Sequence, residues 1–215
     1  MNKSSRSFII WLQLVILGVC AAGAQDSKID RREFLDYLET SRQLTKSTSF
    51  RNLTTIQTSD YPDRSWKPYS SWIVESVFPD RSYLSYKTGR RGDFVRIGKY
   101  LYSKEQHSSP WVRTEDDGQK WASIPSHPAS IPGFKGPLVE FSISEKGETG
   151  TVVRVVSKPT STAESKDTLT YIYSFDTQGA LHSIESIGYN GRNFVRRIEN
   201  YEYDPNIRIE APIPS

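Results

Sequence analysis

Two periodicities divide the chain. Between residues 26 and 44, Ile29, Phe34, Tyr37, Leu38, Ser41 and Leu44 recur at three-and-four spacing on one helical face, opposite Arg31, Arg32, Glu33, Asp36 and Glu39. Asp26 or Ser27 stands where an N-cap is needed, so the pattern predicts an amphipathic helix that must lie on something apolar. From about residue 50 the period falls to two. Short runs of β-branched and aromatic residues, bounded by Gly, Pro, Asn and Asp, predict strands near 49–58, 70–78, 82–88, 93–97, 99–103, 110–114, 138–145, 150–157, 168–175, 180–188 and 193–203. Their turns are short; Asp176-Thr177-Gln178-Gly179 and Tyr189-Asn190-Gly191-Arg192 carry the residues that tight hairpins require. The expectation is a mainly β (α+β) chain, an antiparallel meander of about ten or eleven strands paired in chain order.

One stretch breaks the alternation. Residues 115–137 hold Pro125, Pro128, Pro132 and Pro137 between the apolar anchors Trp121, Ile124, Ile131 and Phe134, which reads as a long loop covering something. Residues 158–167 form a second, more polar loop, and 204–215 end the chain in an extended segment with Ile207, Ile209 and Ala211. In the strands at 138–143 and 169–175 one face is uniformly apolar and the other mixed. Trp66, Trp72, Trp111 and Trp121 lie between the helix and the end of the long loop, and together these residues offer more apolar surface than one helix can cover.

Composition locates the chain in the cell. Residues 1–24 read as a secretory signal: Lys3 and Arg6, an apolar run over 8–19, then Ala22-Gly23-Ala24 as the cleavage site. The run is too short to span a bilayer, so no stable span is expected in the mature form, and residues 25–215 make one domain. The only cysteine, Cys20, and the only methionine, Met1, leave with the signal, so the mature domain has no disulfide and no thiol. Small secreted animal modules are usually bridged, and a bacterial periplasm is the more natural compartment. Removing Lys3 and Arg6 lowers the net charge from +3 to near +1, which gives no nucleic-acid partner a footprint. Asn52-Leu53-Thr54 is a sequon whose use depends on a eukaryotic route.

No constellation specifies a reaction. His107, His127 and His182 lie in different settings without a nucleophile elbow, and neither His pairs nor an Asp-rich loop offers a metal site. No cofactor is called for. Glu75, Glu140 and Glu185 sit within strands, where a solvated outer face accounts for them. Arg91-Gly92-Asp93 reproduces an integrin-type tripeptide and would project from a hairpin turn, although Gly and Asp in a turn need no such explanation. Arg192, Arg196 and Arg197 form a basic cluster, but alternation puts Arg196 and Arg197 on opposite faces.

Three stretches carry a resemblance: Pro79-Asp80-Arg81-Ser82-Tyr83, a Pro-x-Arg turn before a strand; Val95-Arg96-Ile97-Gly98-Lys99-Tyr100-Leu101-Tyr102 followed by Trp111; and the Ile207-x-Ile209-x-x-Pro212 ending. With the order of elements, these resemble the periplasmic lipoprotein-carrier superfamily, the LolA-like and LppX/LprG-like proteins. The resemblance implies a strongly curved sheet or incomplete β-barrel whose concave face is closed by the helix and the long loop, leaving an apolar cavity for acyl chains. It also implies an arginine inside that cavity, for which no single position here is a match. Candidate wall residues are Trp72, Tyr83, Phe94, Tyr100, Trp111, Trp121, Phe141, Tyr171 and Tyr173, each of which also reads as an ordinary core residue. The function expected is a non-enzymatic periplasmic carrier of a lipid or lipoprotein acyl chain or another hydrophobic ligand. The alternative is an envelope sensor or scaffold using the same fold to bind a protein partner.

Overall fold

The structure, a computed structural model, describes residues 26–62, 65–88, 92–116, 138–158 and 168–213. Residues 1–25, which include the expected signal, and most of the long loop, with Trp121, lie outside the described residues. The helix, α1, spans Arg31–Thr45. Its cap is Asp30 rather than Asp26 or Ser27: the Asp30 carboxylate accepts from the Glu33 amide at 2.8 Å. The displacement has a cause, since Ser27–Ile29 is itself a short strand, β1, aligned so that Ile29 faces Phe141. Phe34, Leu38, Ser41 and Thr45 are the buried positions, and Leu44 is half exposed.

All eleven expected strands form: β2 (Phe50–Ser59), β3 (Lys67–Val77), β4 (Arg81–Tyr86), β5 (Asp93–Ile97), β6 (Tyr100–Ser103), β7 (Val112–Glu115), β8 (Leu138–Gly147), β9 (Gly150–Lys158), β10 (Leu169–Phe175), β11 (Leu181–Tyr189) and β12 (Phe194–Tyr203). They make one open antiparallel sheet in the order β1-β8-β9-β10-β11-β12-β2-β3-β4-β5-β6-β7. Pairing in chain order therefore holds within β2–β7 and within β8–β12. It fails once: β7 is one edge and β8 sits beside the other, while the two meanders are joined by a ten-residue ladder between β12 and β2. A sheet of twelve strands accumulates twist and curves, so its two faces are not equivalent.

The hairpins use the expected turn chemistry. Gly191 has φ +91°, and the Asn190 side chain accepts from the amides of Arg192 and Asn193 at 3.0 and 2.9 Å.

Directly opposed residues share a face, so register sorts the side chains into two cores. On the helix face, Phe34 and Leu38 pack with Phe50, Phe141, Val153, Val155, Tyr173, Phe175, Leu181 and Tyr201. On the other side, which we call the tail face, Val95, Tyr102, Tyr83, Ile97 and Tyr100 receive Ile207 and Ile209 from the C-terminal segment. The Arg81 guanidinium donates to the Ile209 carbonyl at 2.8 Å and fixes that segment in place. Among the described residues no helix is long and apolar enough to cross a membrane.

Candidate ligand-binding trough on the helix face

Two cross-strand rows define the helix face. One runs Ile143–Val153–Tyr173–Ile184–Glu199–Thr54–Trp72–Tyr86 over eight strands. The row beside it runs Phe141–Val155–Tyr171–Ser186–Arg197–Ile56. The helix lies over the first part of each row: the Phe34 ring meets Phe141 and Tyr173 at centroid distances of 5.4 and 5.0 Å. Here α1 is not a cover held above a void, because Phe34 and Tyr173 are wholly buried. The void begins beyond it, where β12, β2 and β3 carry Glu199, Thr54 and Trp72.

Two recesses occupy that part of the face. A recess of about 190 Å³ is lined by Phe50, Trp72, Val74, Leu84, Tyr86 and Tyr201 around Asn52, Thr54, Arg197 and Glu199. A second, of about 460 Å³, is lined by Ile56, Leu169, Gly188, Tyr189 and Val195 with Ser157, Thr168, Ser186 and Asn190. Arg197 lines both, so it stands where the two meet. At Gly188 an added Cβ would come within 2.8 Å of Leu169 Cδ1, and the missing side chain is what keeps this end open.

Several polar side chains of the trough lie against one another. Arg197 Nε lies 2.9 Å from Glu199 Oε1, and the Tyr201 hydroxyl donates to Glu199 Oε2 at 2.7 Å. The Thr54 hydroxyl donates to Asn52 Oδ1 at 2.7 Å, and the Arg197 guanidinium sits 5.6 Å from the centre of the Trp72 ring. Burial pushes the Tyr201 phenol far above its usual range, and the Glu199 carboxylate adds to this; burial likewise raises Tyr173, and raises Tyr171 against the opposing charge of Arg197. These phenols stay protonated, and Tyr201 acts as a neutral donor to Glu199. Chemically the trough offers apolar contact beside one internally neutralised polar patch, which suits holding a ligand.

The nominated wall residues divide by face. Trp72 lines the smaller recess. Register places Phe94, Phe141, Tyr171 and Tyr173 on the same face, with Phe141 and Tyr173 packed under the helix. Tyr83, Tyr100 and Trp111 lie with the tail-face cluster, where the three resemblance motifs meet: the Pro79 turn, the β5–β6 hairpin and the Ile207–Ile209 ending build one packed seat for the C-terminal segment. Trp121 is outside the described residues. The sequence reading missed Asn52, Thr54, Arg197 and Glu199. Their signal was alternation in 195–203, where Arg197 and Glu199 share a face with Val195, Tyr201 and Tyr203.

Other candidate chemistry resolves into structure. The Asp93 carboxylate is buried, 2.8 Å from Lys104 Nζ and 3.2 Å from His107 Nδ1, so the Arg-Gly-Asp tripeptide does not present its aspartate. Glu75 pairs with Arg51 at 2.7 Å and Glu185 with Arg196 at 2.8 Å, and with Glu140 they lie on the face opposite the helix. Asn52 is buried in mid-strand beside Thr54, so the folded sequon has no room for a glycan.

No protein-family model and no curated protein matches the chain. Solved structures do. One is a LolA superfamily protein from Nitrosomonas europaea, at 11% identity over 78% of this chain and 90% of that one, with a TM-score of 0.30. Another is a DUF1329 family protein from Desulfovibrio piger, at 9% identity over 82% and 94%, with a TM-score of 0.31. A third, from Vibrio parahaemolyticus, is described as an outer membrane lipoprotein-sorting protein domain, at 9% identity over 80% and 93%, with a TM-score of 0.28.

Proposed function

We propose that the protein is an exported, non-enzymatic binding protein of the periplasm that holds an acyl chain, of a lipid or a lipoprotein, in the trough on the helix face. The observation that supports this best is the pair of adjoining apolar recesses on a face that the helix covers only in part. Affinity would come from apolar burial at about 25 cal/mol per Å². The test is twofold. Organic extraction of protein purified from its native envelope should yield acyl lipid by mass spectrometry, and an apolar fluorescent probe such as N-phenylnaphthylamine should bind the delipidated protein. Gly188→Val pushes a side chain against Leu169 in the larger recess and should weaken the probe at least fivefold without unfolding the protein. Protein that carries no lipid and ignores the probe would sink this reading. The alternative, a scaffold for a protein partner, draws on β7, an edge strand whose four residues are all exposed and whose outer backbone groups could receive a further strand.

A further inference from the structure

The two recesses carry only two charged residues among their described linings, Arg197 and Glu199, and these are joined to each other at 2.9 Å. Glu199 is the more deeply set, with its side chain 13% exposed against 41% for Arg197. Its carboxylate is fixed on one oxygen by Tyr201 and faces Arg197 Nε with the other. The patch therefore offers donors from the guanidinium and acceptors from Glu199, at a net charge of zero.

That balance discriminates between lipid heads. An anionic carboxylate or phosphate drawn to Arg197 would be brought close to Glu199, which is held in a partly desolvated site where like charges repel strongly. A neutral head that both donates and accepts can bond to the pair without separating it, and meets no uncompensated charge. Resting on the binding function proposed above, the geometry points to a neutral single-chain amphiphile with a hydroxyl or amide head as the ligand class, its head at Arg197–Glu199 and its chain along the larger recess beside Leu169 and Val195.

The experiment uses the delipidated mature chain at pH 8, where oleate is ionised, with displacement of N-phenylnaphthylamine as readout. The competitors are 1-monooleoylglycerol, oleamide and oleate, which share one chain and differ in the head. The two neutral competitors should displace the probe at concentrations at least tenfold below oleate. Glu199→Gln should reverse the order of preference, tightening oleate at least fivefold while weakening 1-monooleoylglycerol. Arg197→Gln should weaken both neutral ligands about tenfold, and by more than it weakens the probe. The wild-type series stands alone should a variant fail to fold. Oleate binding as tightly as the neutral pair overturns the inference and leaves the binding function standing, as does probe binding with no response to any head. A protein that does not bind the probe at all overturns both.

Discussion

Asp93 shows how a single residue can be misread from its neighbours in sequence. Placed after Arg91 and Gly92 it looks like an exposed turn residue, yet its side chain is 7% exposed and held by Lys104, Ser85 and His107. Gly92 permits this, since a Cβ there would collide with the Lys104 carbonyl. Burial by itself would push the Asp93 carboxyl up, but the hydrogen bonds from Lys104, Ser85 and His107 outweigh it and hold it below the usual carboxylate range. Its stabilising contribution is then fully present above the unfolded value near 3.9 and is lost as pH falls through the lowered folded value. Asp93→Asn should cost about 2–3 kcal/mol at pH 7 in urea unfolding. The gap from wild type should narrow at pH 3 and below; a gap that stays constant with pH would contradict this account. Arg197 and Glu199 teach the converse, since they look like ordinary strand charges and occupy the floor of the trough.

At the scale of the element, the helix is held by its buried side and not by its propensity. Phe34 sits between Phe141 and Tyr173, and the Ser41 hydroxyl accepts from the Leu181 amide at 2.8 Å, tying the helix to the start of β11. The Tyr203 hydroxyl bonds the Leu181 carbonyl at 2.9 Å, and burial pushes that phenol up to about 12. Phe34→Ala should therefore lose about 3–5 kcal/mol, and Ser41→Ala about 1–3 by leaving a buried amide unsatisfied. Leu44→Ala, at a position that periodicity assigns to the buried face, should change stability by less than about 0.5 kcal/mol because the side chain is half exposed. Thermal unfolding of the three variants checks the ranking; a Leu44→Ala loss as large as that of Phe34→Ala would refute the placement. The strands were legible because each alternates within itself. The start of α1 was not, because β1 exists only through a partner more than a hundred residues away, at β8.

Across the whole molecule, one sheet is covered on opposite faces at opposite ends: α1 over β8–β12 and β2, and the C-terminal segment over β3–β6. This places the surplus aromatic surface noted in the sequence in two locations, of which the one on the helix face adjoins the two recesses. Truncation after residue 206 removes Ile207 and Ile209 and uncovers Val95 and Tyr102, each near 5% exposed or less. It should lower the melting temperature by several degrees and raise binding of a surface-hydrophobicity dye. Binding in the trough should persist in the protein that remains folded, since the recesses lie on the other face. Loss of trough binding with the melting temperature unchanged would show that the two faces are coupled in a way their separation does not allow.

The sequence by itself determined which residues form strands and turns, because alternation, β-branching and Asn-Gly turns act over a few residues. It also determined that the chain holds more aromatic surface than its helix can cover. Which face each strand turns inward was decided only in the tertiary structure. A shift of one residue exchanges the faces of a strand, and in β12 both faces carry charge, so only pairing with β11 and β2 sets Arg197 and Glu199 beside Trp72 and sends Arg196 to Glu185.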